Sequence, residues 1–286
     1  EVMTQTKLVA LIDGSGYAQS VCDYSIWAAQ ALSVPIELMH VIGRRQENAL
    51  DISGALSLGA RTRMLEDMAR IEGDLARHSQ DRGRALIEDA ADHIEATLKE
   101  RPTVRLRTGD LVLEANQALS DTDLLIIGKR GEAAGFAKLH LGSNLERMIR
   151  SSSCPILVAP RSFKPLGRAL IAYDGRSSSK RAVDAIAESA LLKGLPITLM
   201  TVNERESGNA ASLDEPMAVL EQAGFDVQAE TLSGKAVEVI RNRVASEEFS
   251  LMVMGAYSGN RLHSMLIGST TTELLVSCRI PALLYR

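Results

Sequence analysis

The sequence predicts an α/β fold: two tandem doubly wound domains, each a five-stranded parallel sheet flanked by helices, related by a pseudo-two-fold axis. Three observations carry this expectation. Short, continuously apolar runs alternate with stretches of helical periodicity. The order of these runs and the turns behind them occurs twice along the 286 residues. Each copy closes on an apolar run behind a proline, Pro155 or Pro281.

In the first copy the apolar runs are Lys7–Ile12, Ile36–Val41, Val104–Arg107, Leu124–Gly128 and Ile156–Ala159. Unbroken apolarity, rather than alternation, marks strands covered on both faces, which is the habit of parallel sheets. Between them, Ser20–Leu32 carries Val21, Tyr24, Ile26–Ala29 and Leu32 on one helical face. Met64, Met68, Ile71 and Leu75 step by four, three and four, the stripe of an amphipathic helix or a surface against a partner chain. A polar break is expected near Arg82-Gly83, after which Ile87, Ala90, Ala91, Ile94 and Leu98 resume the period. Strands alternating with helices imply βαβ units.

The second copy follows in the same order. Arg168–Tyr173 ends in Asp174-Gly175 as Lys7–Ile12 ends in Asp13-Gly14. Ile197–Val202, Asp226–Leu232, Leu251–Gly255 and Pro281–Leu284 match the remaining strands. Gly142 precedes Pro155 by 13 positions, and Gly268 precedes Pro281 by 13. From Asp13 to Gly128 is 115 positions and from Asp174 to Gly255 is 81, so the first copy carries 115 − 81 = 34 more. Most of them fall in a helical insertion at 44–101. The domains are therefore expected at 1–160 and 161–286, with Pro160–Gly167 as an exposed crossing. The terminal strands Ile156–Ala159 and Ala282–Tyr285 would be apolar edges, which folded proteins cover or pair.

Composition narrows the function. Lys+Arg of 32 against Asp+Glu of 36 gives −4, too acidic for general attraction to nucleic acid or anionic lipid. Aromatics are 3%, which leaves little for base stacking. Three Cys exclude a disulfide framework and fit a reducing compartment. No run reaches the ~18 apolar residues of a membrane helix, and Glu1–Thr4 lacks the start of a signal peptide. The expectation is a cytoplasmic protein with no membrane and no nucleic-acid partner. His40, His78, His93, His140 and His263 show no metal-ligand spacing, so a surface or packing role is expected for each. Cys22, Cys154 and Cys278 read as small core residues.

The stretch richest in chemistry is Leu124–Gly131 followed by Leu139–Glu146: strand, glycine loop, Gly-Ser, helix. Gly128 and Gly131 let main-chain amides approach an anion without a Cβ. Ser143 is expected to cap a helix whose N-terminus, with about half a positive charge, suits phosphate. The second copy reads Gly255-Ala256-Tyr257-Ser258, then nine residues, then Gly268-Ser269. Ser258 stands where the first copy has its second glycine, and no cation lies within 256–258, so this site is expected to be the weaker one.

Gly-x-x-Gly, a spacer near ten and then Gly-Ser, downstream of a strand ending in Asp, resembles the ATP-binding signature of the universal stress protein family. The tandem pattern covers nearly the whole chain and resembles a two-domain member. The spacer here is ten residues against nine in the common pattern. The resemblance implies that Asp13 meets the adenosine portion, that the backbone of Val41 holds adenine, and that Gly128, Arg130, Gly131, Gly142, Ser143 and Asn144 face phosphates. The second-copy counterparts are Asp174, Val202, Gly255, Ser258, Gly268, Ser269 and Thr270. It implies ATP, or ADP or AMP, with Mg²⁺ accompanying the nucleotide.

Plainer readings stand beside these. Asp13 and Asp174 also suit turn initiation, and Lys129 reads as a solvated side chain. Asp51–Ala60 reads as a connection, a lid or an oligomer contact. The glycine motif holds no strong catalytic base, so the expected function is a nucleotide-responsive stress protein that hydrolyses ATP slowly or not at all, at most a weak ATPase. A protein partner or homo-oligomerisation would read its state. The alternative is a non-nucleotide interaction protein working through dimerisation or an apolar ligand. An adenylating enzyme is disfavoured, since neither Asp13-Gly14-Ser15-Gly16 nor Leu139-His140-Leu141-Gly142 fits its motifs, and no Walker sequence is present.

Overall fold

The computed structural model describes residues 6–43, 58–132, 141–204, 211–246, 249–256 and 267–286. The first half runs β1 (Leu8–Leu11), α1 (Ala18–Leu32), β2 (Ile36–Gly43), α2 (Leu58–Leu98), β3 (Thr103–Gly109), α3 (Leu111–Ala118), β4 (Leu124–Gly128), α4 (Ser143–Ser151) and β5 (Ile156–Ala159). The second half repeats it as β6 (Ala169–Ala172), α5 (Ser177–Glu188), β7 (Ile197–Asn203), α6 (Asp214–Gln222), β8 (Val227–Ser233), α7 (Ala236–Ala245), β9 (Leu251–Gly255), α8 (Ser269–Ser277) and β10 (Ala282–Tyr285).

All ten strands form one sheet in the order β3-β2-β1-β4-β5-β10-β9-β6-β7-β8. Each half is a parallel five-stranded unit, and the order of the second mirrors that of the first. The join is antiparallel: Ala282 opposes Val158, Leu283 opposes Leu157 and Leu284 opposes Ile156. The two apolar edges expected from the sequence are thus paired with each other, as a two-fold relation between the halves requires.

Alternate strand residues feed two helix layers. Leu8, Ala10 and Ile12 face one layer with Tyr24, Ile87 and Ile94, and the same core continues through Leu157 and Leu283 to Ile171 and Ile186. Val9 and Leu11 face the other with Leu145, Met148 and Ile149, a core that continues through Val158 and Leu284 to Leu274 and Leu275. One buried carboxylate is built into the sheet. Glu37 of β2 is ion-paired to Lys7 at 3.0 Å and Arg105 at 2.7 Å, which offsets the cost of desolvating it. Cys22, Cys154 and Cys278 are buried free thiols. The crossing is buried at Pro160 and exposed from Arg161 to Gly167, except that Phe163 and Leu166 pack against the core, Phe163 edge-on to Tyr24 at 4.8 Å.

One local expectation is corrected. There is no break at Arg82-Gly83: α2 is a single helix of 41 residues. Gly83 is a point of close approach rather than a breaker. A Cβ there would sit 2.9 Å from His40 Cδ2 and 3.2 Å from Leu106 Cδ1, so glycine lets the helix lie against β2 and β3. Of the expected lid or contact segment 51–60, residues 51–57 lie outside the described residues and 58–60 open α2.

The β5–β10 join can be tested by truncation. Leu157→Ala and Leu283→Ala are each expected to cost about 2–5 kcal/mol of stability in urea unfolding. Because the two side chains oppose each other across the pairing, the double variant should depart from their sum by more than about 0.5 kcal/mol; simple additivity would show that they do not pack together.

Candidate functional site

Open α/β sheets bind ligands beyond the carboxyl ends of their strands. In the first half a cavity of 840 Å³ lies there, at the ends of β1, β2 and β4. Asp13, Val41, Gly128, Arg130, Gly131, Gly142, Ser143 and Asn144 all line it. Tyr17, Asp110, Leu113, Glu114 and Glu132, which no motif signalled, also line it, as does His40, for which the sequence suggested a surface or packing role.

Asp13 ties the loops together. Its Oδ1 accepts from the Ser15 amide at 3.0 Å, a turn within β1's own loop, and its Oδ2 accepts from the Glu132 amide at 3.0 Å. Turn initiation and a place in the cavity are therefore compatible roles for one carboxylate. The glycines have distinct reasons. A Cβ on Gly131 would lie 2.9 Å from Asp13 Oδ2, and one on Gly128 would lie 2.8 Å from Tyr17 Cβ. Gly128 is thus required by packing under α1, not by open space in front of it. Gly142 rests on the 129–131 loop, with Arg130 Cα 3.4 Å from its Cβ position.

Ser143 does not cap α4, contrary to expectation. Gly142 occupies the N-cap at φ −63°, ψ 134°, and no side chain accepts from the first turn. The amides of Ser143, Asn144 and Leu145 consequently stand at the cavity wall without a side-chain acceptor, the arrangement that binds anions best. Val41 and the exposed Leu113 of α3 add apolar surface to the lining.

Asp110, Glu132 and His40 each already hold a partner. Asp110 caps α3 through the Val112 and Leu113 amides at 3.0 and 3.1 Å, and Arg147 bonds to it and holds its carboxyl below the usual range. Glu132 is ion-paired to Arg82 of α2. The Nδ1–H of His40 donates to the Ile12 carbonyl at 2.7 Å. The insertion helix therefore reaches the site through Arg82 and Gly83, which no motif signalled.

Lys129 corrects another expectation. It is not solvated but reaches into the second half, donating to the carbonyls of Val276 at 3.1 Å and Cys278 at 2.9 Å, at the C-terminal end of α8. Burial pushes its ammonium from 10.5 down to about 8, with Arg130 nearby adding to the effect and Cys278 opposing it.

The second half has a cavity of 670 Å³ at the matching strand ends. Asp174, Val202, Gly255, Gly268, Ser269 and Thr270 line it; Ser258 lies outside the described residues. Asp174 accepts from the Arg176 amide at 3.0 Å and the Ser179 hydroxyl at 2.7 Å. Gly255 packs against Ser178 as Gly128 does against Tyr17. A cation is present after all: Arg176, from the loop before α5, lines the cavity. It stands beside Asp174, its ion-pair partner at 3.6 Å, and outside the 255–270 glycine motif, which is why motif reading passed over it. Among the described residues no group of His, Cys, Asp or Glu is placed to hold a metal ion, and no helix is long and apolar enough to cross a membrane.

The molecule is thus a duplicated α/β sheet with a glycine-lined cavity at each set of strand ends. The sequence model of the universal stress protein family matches residues 5–160 and 208–286. The chain is 34% identical over 285 residues to universal stress protein Slr1230 of Synechocystis sp., covering 98% of this chain and 99% of that protein. In structure it is similar to a universal stress protein from Archaeoglobus fulgidus (TM-score 0.73, 18% identity, 99% of this chain and 97% of that one). A putative universal stress protein from Pseudomonas aeruginosa gives a TM-score of 0.59 at 14% identity, over 99% and 94%. The chain belongs to the universal stress protein family.

Two measurements probe the site. The Lys129 ammonium is depressed in the folded chain, so its contribution to stability is complete above about 10.5 and is lost as the pH falls through about 8. Stability of the unaltered protein should therefore rise across pH 8–10.5 more than that of Lys129→Met, as read by thermal unfolding; parallel curves would place this group in water. Asp13→Asn keeps only one acceptor oxygen for two amides and is expected to cost about 1–2 kcal/mol and to speed amide exchange at Glu132.

Proposed function

We propose that the first-half cavity binds an adenine nucleotide, ATP in the first instance with ADP or AMP as alternatives, and that the protein is a nucleotide-responsive regulator with slow or no hydrolysis. The observation that carries this reading is the meeting of the uncapped N-terminus of α4 with the 128–131 loop over one cavity. Main-chain amides there suit the phosphates, with Arg130 as the accompanying cation. Val41 and Leu113 offer an apolar slot for the base, beside Asp13 for the sugar. Mg²⁺ would arrive with the phosphates rather than on a protein ligand set. Slow turnover is expected because Asp13, Asp110 and Glu132 are each committed to amides or an arginine, which leaves Glu114 of α3 as the remaining carboxylate in the lining that could act as a base. The halves 1–160 and 161–286 are read as two domains of one kind, the second taking nucleotide more weakly through Arg176.

Calorimetric titration with ATP-Mg²⁺, followed by phosphate release, tests this. Binding with negligible turnover is expected. Gly142→Asp should abolish it by setting a carboxylate against the phosphates, whereas Gly142→Ala, whose methyl meets the loop at ordinary contact distance, should bind within a few-fold of the unaltered protein. Silence toward all three nucleotides would instead leave the non-nucleotide interaction reading; rapid turnover would make the protein an ATPase.

A further inference from the structure

The N-terminal part of α2 stands off the body of the protein. Between Met64 and Arg82 no described residue is buried, and the helix joins the core only from Gly83 onward. From Met64 to Arg82 is 19 residues, about 28 Å of helix at 1.5 Å per residue. On this arm Met64, Ile71 and Leu75 are 38%, 54% and 42% exposed, with Met68 half-buried between them. Among the described residues the remaining exposed large apolar side chain is Leu113, at the cavity. A stripe at spacings of four, three and four is the seam of a two-helix contact, and two of its four members are methionines, which fit irregular surfaces.

The borders of the stripe say what fits on it. Asp67 and Asp74 flank it on one side and Glu72 on the other, at the positions next to the seam. Arg70 and Arg77 stand further round the helix, where they ion-pair with Asp67 at 3.1 Å and Asp74 at 3.5 Å; exposed pairs of this kind hold weakly and exchange partners readily. Pairing with a second copy in parallel would set Asp67 beside the second Glu72. Antiparallel pairing, with Met64 on Leu75 and Met68 on Ile71, would set Asp67 beside Asp74. Both put like charges together.

We propose that this arm is a docking site for an amphipathic helix of another protein whose apolar face is bordered by Lys or Arg. Such a helix buries the Met64–Leu75 stripe and meets carboxylates on both flanks with cations. The proposal is independent of nucleotide binding.

The probes are two labelled 22-residue helical peptides with Leu at both seam positions, one carrying Lys and the other Glu at the flanking positions. Anisotropy titrations with the full protein should show the Lys peptide binding at least about tenfold more tightly than the Glu peptide. Ile71→Asp and Leu75→Asp should each weaken it by about tenfold or more, although they add negative charge; unspecific attraction to an acidic protein would instead strengthen. Because both side chains are exposed, the variants should keep the thermal midpoint of the parent. Glu72→Lys combined with Asp74→Lys should invert the preference toward the Glu peptide. Equal binding of the two peptides, no loss in Ile71→Asp, or concentration-dependent sedimentation of the protein alone that Ile71→Asp removes, would each overturn the proposal, the last by assigning the arm to a second copy.

Discussion

The antiparallel contact between β5 and β10 governs the molecule. A parallel five-stranded unit has an unavoidable edge, and both edges here are apolar on both faces: Ile156–Ala159 and Ala282–Tyr285 are buried throughout. An edge of that kind exposed to water would lose the hydrophobic contribution of eight side chains and offer unpaired amides to any other chain. Pairing the two edges within one chain removes both problems. It also fixes the geometry of function. Because the join is antiparallel, the strand ends of the two halves point in opposite directions, so the two cavities lie at opposite ends of the sheet. The cores above and below run through the join without interruption.

Much of this was legible because it rests on burial, which writes itself into composition. Continuous apolar runs gave the strands to within a residue or two at each end, and the repeated Pro-led final run gave the two edges that pair. The contents of the first cavity were legible for a related reason: glycines are scarce resources in strands and helices, and a doubled glycine pattern at strand ends marks close approach. What sequence could not distinguish is what each glycine approaches. Gly128 lies under Tyr17, Gly131 against Asp13, and Gly83 beneath His40. All three read alike as letters, and one of them looked like a helix break. Close approach is a property of the neighbour, and the neighbour is distant in the chain.

Charged groups were harder for the same reason. Lys129 sits in the middle of a glycine loop, surrounded in sequence by residues that suggest solvent. Its partners, the carbonyls of Val276 and Cys278, are 147 and 149 positions away. Arg82 and Glu132 likewise acquire their places from tertiary contact. Long flexible side chains choose partners after the backbone has been placed, so their roles are the last thing a pattern of residues encodes.

The two halves share an architecture but are not interchangeable, and the difference runs in one direction. At the end of β4 the residue after the glycine is Lys129, long enough to bridge to the C-terminus of α8. At the matching place after β9 it is Ala256, buried and too short to reach across. The helix that Lys129 holds begins at Gly268 and Ser269, the wall of the second cavity, and ends at the carbonyls that receive the ammonium. A cation at the C-terminal end of a helix is favourably placed against its dipole, which offsets part of the cost of burying this ammonium. The first cavity's loop is therefore tied to a helix that forms the second, a reach that Ala256 at the matching place does not have. Added to the 41-residue α2, which meets the first cavity through Arg82 and has only the nine-residue α6 as its counterpart, this makes the first half the one to which the rest of the molecule is physically connected.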